Sequence, residues 1–177
     1  MTPETLAALC LALPGAYEDE PFGPGTLVYR VRSVPDKAGK IFALLNGGSD
    51  AGGATRFNLK CEPEAALSLR ATHPEVVPGY HMDKKHWNTV RFGGDAPVTL
   101  ELTRLRELIE DSYDLVVASL PRAHQERLKW IGLGRGDADR DDSEHSDGGR
   151  SDGTAGHPGG YYSDDPGNAR NPDDTAR

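Results

Sequence analysis

The chain has 177 residues, with 20 Lys+Arg against 28 Asp+Glu and a formal net charge of -8, which is room for one ordinary domain and a tail. So acidic a balance argues against coating nucleic acid or an anionic membrane through net charge, and any polyanion site has to be local. No apolar run is long enough for a transmembrane helix and the N-terminus lacks the basic-then-apolar layout of a signal peptide, so the expected location is cytoplasmic, with no membrane partner.

The first expected element is a helix. Thr2-Pro3-Glu4 supplies an N-cap, a proline at the first helical position and an early acid, and Leu6, Leu9, Cys10 and Leu13 then recur at helical spacing up to Pro14-Gly15. From Thr26 to Arg32 apolar and polar residues alternate, as in a half-exposed strand, and a turn-rich stretch leads into the strand-like Lys40 to Leu45, so the pair reads as a hairpin. The Gly-rich segment Asn46 to Ala54 is expected to be a mobile loop before a third strand, Thr55 to Cys61. Pro63 to Thr72 combines a proline start with good helix formers, and His73-Pro74 ends it. Val76 to Met82 looks extended and His86 to Phe92 alternates, giving one or two further strands. Pro97 to Leu120 reads as a long helix, bent near Asp111-Ser112, with Leu105, Leu108, Ile109, Ser112, Val116 and Leu120 on one stripe. The order α-β-β-β-α-β-β-α clusters strands instead of alternating them with helices. It predicts an α+β fold of two layers, an antiparallel sheet with helices packed on one face.

Composition changes after Trp130-Ile131. Gly132 to Arg177 holds 11 acidic and 5 basic residues, ten glycines and three prolines, too little apolar surface to offset the roughly 1 to 2 kcal/mol per residue that backbone ordering costs. The expected organisation is a folded domain over 1–131 and a disordered acidic tail over 132–177. Asp137, Asp139 and Asp141 have the spacing that opens a calcium loop, but Asp142 stands where Gly is needed and Gly148 where the bidentate Glu belongs. The folded part alone is nearly neutral, so the acidic total does not exclude a polyanion site on it.

Four segments together carry a family resemblance: Pro21-Phe22-Gly23, Asn58-Leu59-Lys60-Cys61, Pro78 through Val90 and Ser112-Tyr113-Asp114-Leu115-Val116. In this order the set resembles the MmcQ/YjbR family, over about residues 4 to 128. The resemblance implies a secretion-chaperone-like α/β architecture of two layers and, by a label commonly attached to the family, DNA binding. It implies no reaction and no catalytic residue. Longer connections at Ser33 to Lys37 and Asn46 to Ala54, and Asp83 where Asn is usual, are departures from the pattern.

The segment Gly79 to Arg91 concentrates the candidate chemistry. Lys84, Lys85 and Arg91 outnumber Asp83, His81 and His86 add charge in acid, and Tyr80 and Trp87 lie among them, the mixture of cations and rings that contacts phosphates and bases. Arg30, Arg32, Arg56 and Lys60 extend the patch if their strands are neighbours of this segment. The competing bland view makes Tyr80 and Trp87 core residues and Lys84-Lys85 a solvated turn. Other motifs fall short. His81, Asp83 and His86 fix no common metal geometry, and Ser112 sits on an apolar stripe with no G-x-S-x-G around it, which buries its hydroxyl. Gly23-Pro24-Gly25 and Gly47 to Gly53 lead into strands, not helix N-termini, so they read as turns instead of phosphate cradles. Cys10 and Cys61, outside any C-x-x-C, read as small buried residues. No cofactor and no metal are expected. The expected function is a non-enzymatic domain that binds DNA weakly through the basic and aromatic segment, with a protein-binding, chaperone-like adaptor as the alternative.

Overall fold

The structure, a computed structural model, describes residues 1–35, 38–46 and 52–138. The expectations for the acidic tail from residue 139 onward and for the loop at 47–51 concern residues outside the described ones. Helix α1 spans Pro3–Leu11, with the Thr2 hydroxyl accepting from the Thr5 N–H and Pro3 in the first turn. Strands β1 (Ala16–Asp19), β2 (Thr26–Val31), β3 (Lys40–Asn46) and β4 (Thr55–Lys60) follow. Helix α2 (Pro63–Thr72), strands β5 (Val76–Pro78) and β6 (Trp87–Phe92), and helices α3 (Leu102–Ala118) and α4 (Arg122–Ala138) complete the described elements. No described helix is long and apolar enough to cross a membrane.

The six strands form one antiparallel sheet in the order β1-β2-β3-β4-β6-β5, with the helices on one face, an α+β fold as expected. Alternation along the strands sends Tyr29, Val31, Ala43, Leu45, Phe57, Leu59, Val90 and Phe92 toward Leu6, Leu105, Leu108, Ile109 and Val116 of the helices. Each large side chain buried there contributes about 1.5 to 3 kcal/mol. Arg56, Asn58 and Lys60 of β4 and Trp87, Thr89 and Arg91 of β6 alternate to the outer, helix-free face. A bulge between β2 and β3 skips Phe42, whose carbonyl is instead met by the Ser112 hydroxyl of α3 at 2.5 Å. The Ser112 hydroxyl oxygen in turn accepts from the Lys60 N–H at 2.7 Å.

Three departures from the sequence expectation have physical reasons. Strand β1 adds to the predicted order: Ala16-Tyr17-Glu18-Asp19 is short and acidic, yet it pairs with Val28 to Val31. The helix expected from Pro97 begins only at Leu102, because the Glu75 carboxylate takes the N–H groups of Thr99 at 2.7 Å and Leu100 at 2.6 Å and holds 97–101 out of helical conformation. Helix α4 runs to Ala138, beyond the Ile131 boundary expected from composition. Its anchor is Leu128, 2% exposed in the core, and Gly15 (φ 66°) lets it approach, since a Cβ there would sit 2.4 Å from Leu128 Cδ2.

Candidate nucleic-acid interface

On the outer face, β4 and β6 set residues directly opposite one another: Arg56 against Arg91, Asn58 against Thr89, and Lys60 against Trp87. The chain leaving β5 then crosses this face. Gly79 makes the crossing possible: its N–H reaches the Trp87 carbonyl at 2.9 Å, and a Cβ at that position would lie 2.8 Å from Trp87 Cβ. The next N–H, of Tyr80, is held by the Thr89 hydroxyl at 3.2 Å, and that hydroxyl donates to Asn58 Oδ1 at 2.6 Å. Tyr80 is thereby laid over the face, and the Arg56 guanidinium stacks on its ring 4.8 Å from the centroid. His81 adopts a left-handed backbone (φ 54°), rare for a non-glycine residue, and packs its ring edge-on against Tyr80 at 4.1 Å.

Beyond Met82 the loop closes into a turn. Asp83 Oδ1 accepts from the Lys85 N–H at 2.9 Å and its carbonyl from His86 N–H at 3.0 Å, the Asx geometry that short acids favour in turns. Arg70, from the last turn of α2, donates to Asn88 Oδ1 and to the carbonyls of Lys84 and Trp87. Nothing in the sequence pattern singled out Arg70, because its role lies in backbone carbonyls that only the fold brings near.

Of the expected site residues, the structure gathers Arg56, Tyr80, His81 and Arg91 at one part of the face, sets Lys60 and Trp87 opposite each other two residue pairs along, and leaves Lys84 and Lys85 exposed on the turn. They differ in how free they are. Arg91 is paired with Asp95 at 3.1 Å, so its charge is compensated within the fold. Among the described residues, Lys84, Lys85, Lys60 and Arg56 have no carboxylate partner. The rings differ too: Tyr80 is 57% exposed whereas Trp87 is half-buried, so the expectation that either ring presents a stacking surface narrows to Tyr80. His86 donates its N–H to the turn, and Ser112 is fully buried, as its place on the apolar stripe implies.

Sequence reasoning missed the role of Phe22. It stands 64% exposed on the β1–β2 turn, where Gly23 and Gly25 take φ of 90° and 87° and the Glu20 carboxylate accepts the Gly25 N–H at 2.6 Å. Phe22, Tyr80, His81 and Met82 wall a cup of about 340 Å³ on the outer face, floored by Thr26, Leu44, Asn46, Arg56 and Asn58. Its lining includes one cation and no acid. A larger cavity of about 430 Å³ opens between α2 and α3, with a mostly apolar floor, and carries Glu62, Asp111 and Asp114 in its lining. Burial, with Asp111 and Glu110 nearby, raises the Asp114 carboxyl above its ordinary range. The same lining also holds Lys60 and Arg104, so acids and cations are mixed there.

The fold recurs in known proteins. The YjbR family profile matches residues 11–115. The chain belongs to the YjbR family. It is similar to the uncharacterized protein YbdF of Escherichia coli O157:H7, 38% identical over 126 residues, which are 71% of this chain and 93% of that protein. YjbR of Escherichia coli strain K12 is 29% identical over 128 residues, 72% of this chain and 98% of that one. Among solved structures, the Deinococcus radiodurans protein DR2400, a DUF419 domain, superposes with a TM-score of 0.62 at 35% identity, covering 72% of this chain and 88% of that one. A Pseudomonas syringae protein superposes at 0.53 with 30% identity, over 66% of this chain and 99% of that one. The YjbR-family match covers α1 through α3 in part or whole and leaves α4 and the acidic C-terminal stretch outside it.

Proposed function

We propose that this YjbR-family domain is a non-enzymatic binding module that contacts the phosphate backbone of DNA through its outer face. The observation that carries the reading is the pair Lys84-Lys85: both are exposed, neither has a carboxylate partner among the described residues, and Arg70 tethers the turn that bears them. Two ammonium groups on a pinned turn lose less freedom on meeting phosphates than they would on a loose loop. Arg56 and Lys60 add uncompensated charge on the strand beside them. Ser112 argues in the same direction by elimination, since a hydroxyl sealed under the sheet and committed to Phe42 and Lys60 cannot act as a nucleophile.

With three or four phosphates engaged, affinity falls with salt at a log-log slope of roughly -3. Fluorescence anisotropy of labelled duplex DNA, at low and at physiological salt, tests this. The double substitution Lys84→Ala/Lys85→Ala should weaken binding and flatten the slope by about 2. An absence of binding even at low salt, or binding indifferent to the double substitution, would remove the DNA reading and leave the protein-binding alternative.

A further inference from the structure

We propose that the cup walled by Phe22, Tyr80, His81 and Met82 receives one unpaired nucleobase, so that the outer face prefers single-stranded over duplex nucleic acid. The inference rests on the backbone-binding reading above and specifies what that same face takes. A volume of about 340 Å³ lies within the range of small-ligand sites and far exceeds a gap between packed side chains. Its walls are the wrong chemistry for a solvated turn: two rings, Phe22 and Tyr80, are more than half exposed at the mouth of a concave site, and although the Arg56 guanidinium and His81 pack against Tyr80, enough of both rings is left uncovered to meet a planar partner. Such a partner cannot come from an intact duplex, whose bases are stacked and paired, but does come from a single strand or an extruded nucleotide.

The floor supplies polar contacts of matching type. Arg56 makes no hydrogen bond or ion pair among the described residues; its guanidinium rests on the Tyr80 ring, and its Nε is shielded with no acceptor. The Asn58 carbonyl oxygen is occupied by Thr89, and its amide nitrogen makes no hydrogen bond among the described residues. A guanidinium and an amide donor at the bottom of the cup meet the carbonyl edge or the phosphate of a nucleotide. The turn with Lys84 and Lys85 continues directly from Met82, so adjacent phosphates of the same strand have cations to meet. The hydrogen bonds from the Gly79 N–H to the Trp87 carbonyl and from the Tyr80 N–H to the Thr89 hydroxyl hold the wall in place before any ligand arrives.

Anisotropy with three probes of equal length tests the cup: an oligothymidylate of about 12 nucleotides, the matching duplex, and an abasic chain carrying the same phosphates. The oligothymidylate should bind about tenfold tighter than the other two at matched salt. Phe22→Ala, at an exposed turn position, and Tyr80→Ala should each bring the ratio of oligothymidylate to abasic affinity down to about one, in protein whose circular dichroism shows the fold retained. Lys84→Ala/Lys85→Ala should instead weaken all three probes together. Equal affinity for the abasic and thymidylate chains, or ring substitutions without effect, overturns the cup while duplex and abasic binding still uphold the backbone reading. Loss of binding to every probe at low salt overturns both.

Discussion

Ser112 shows how much of this fold hangs on single polar atoms. Its hydroxyl donates to the Phe42 carbonyl that the bulge removes from the ladder and accepts the Lys60 N–H, so one oxygen fastens α3 to both β3 and β4. Ser112→Ala leaves two buried backbone groups without partners and should lower unfolding free energy by about 2 to 3 kcal/mol, read as a shifted urea midpoint at unchanged m-value. The neighbouring Tyr113 works likewise, its hydroxyl donating to the Pro14 carbonyl at 2.7 Å and its ring standing edge-on to Phe42. Burial and the Asp114 carboxylate push its phenol up to about 12, so it remains a donor across the physiological range. The two thiols are raised as well, chiefly by burial, which makes Cys10 and Cys61 core residues and not nucleophiles.

Between elements, Glu75 is the clip that joins β5 to the approach of α3. Burial alone would raise its carboxyl, but hydrogen bonds from Thr99 and Leu100 outweigh it and the net position is below the ordinary 4.5. A carboxyl lowered in the folded state stabilises fully above its unfolded value, and that contribution disappears as pH falls through the folded one. The stability difference between the wild type and Glu75→Gln should therefore be constant above about pH 5.5 and shrink below pH 4.5, measured by thermal melts across that window. The clip also explains why the start of α3 was not legible: Pro97 to Leu120 has one continuous helical pattern, and the competitor for its first N–H groups sits more than twenty residues upstream. Elements with their own periodicity, β2, β3, β4, β6 and the apolar stripe of α3, could be read directly. β1 could not, because four residues with two acids look polar until a neighbouring strand pairs with them. α4 was hidden by Pro121 and by Gly132, Gly134 and Gly136, residues of poor helix propensity whose composition resembles a tail. The candidate site was legible as a segment, Gly79 to Arg91, but not as a shape. Phe22, Arg70 and Asn58 reach it from distant parts of the chain, and Asp95 compensates Arg91 through a turn that periodicity does not register.

Over the whole chain, the long-range field opposes the local one. The stretch beyond Ala138 has a net charge of -6, so removing it takes the formal charge from -8 to -2 and lifts a repulsion that any polyanion meets on approach. A protein ending at Ala138 should bind the same oligonucleotide several-fold tighter at low salt, and the difference should vanish at about 0.3 M salt, where the screening length falls to roughly 6 Å. An unchanged affinity at low salt would mean that this stretch exerts no electrostatic influence on the outer face.

The sheet's two margins bear on the adaptor alternative. β1 contributes four residues and β5 three, the latter ending in Pro78, which has no N–H to offer. A visiting strand laid along either border would find only a few backbone groups to bond with before the template ran out. Recruitment of another polypeptide by extending the sheet is thus discouraged by the way the sheet is finished, and the same brevity guards a six-stranded layer against growing into fibres.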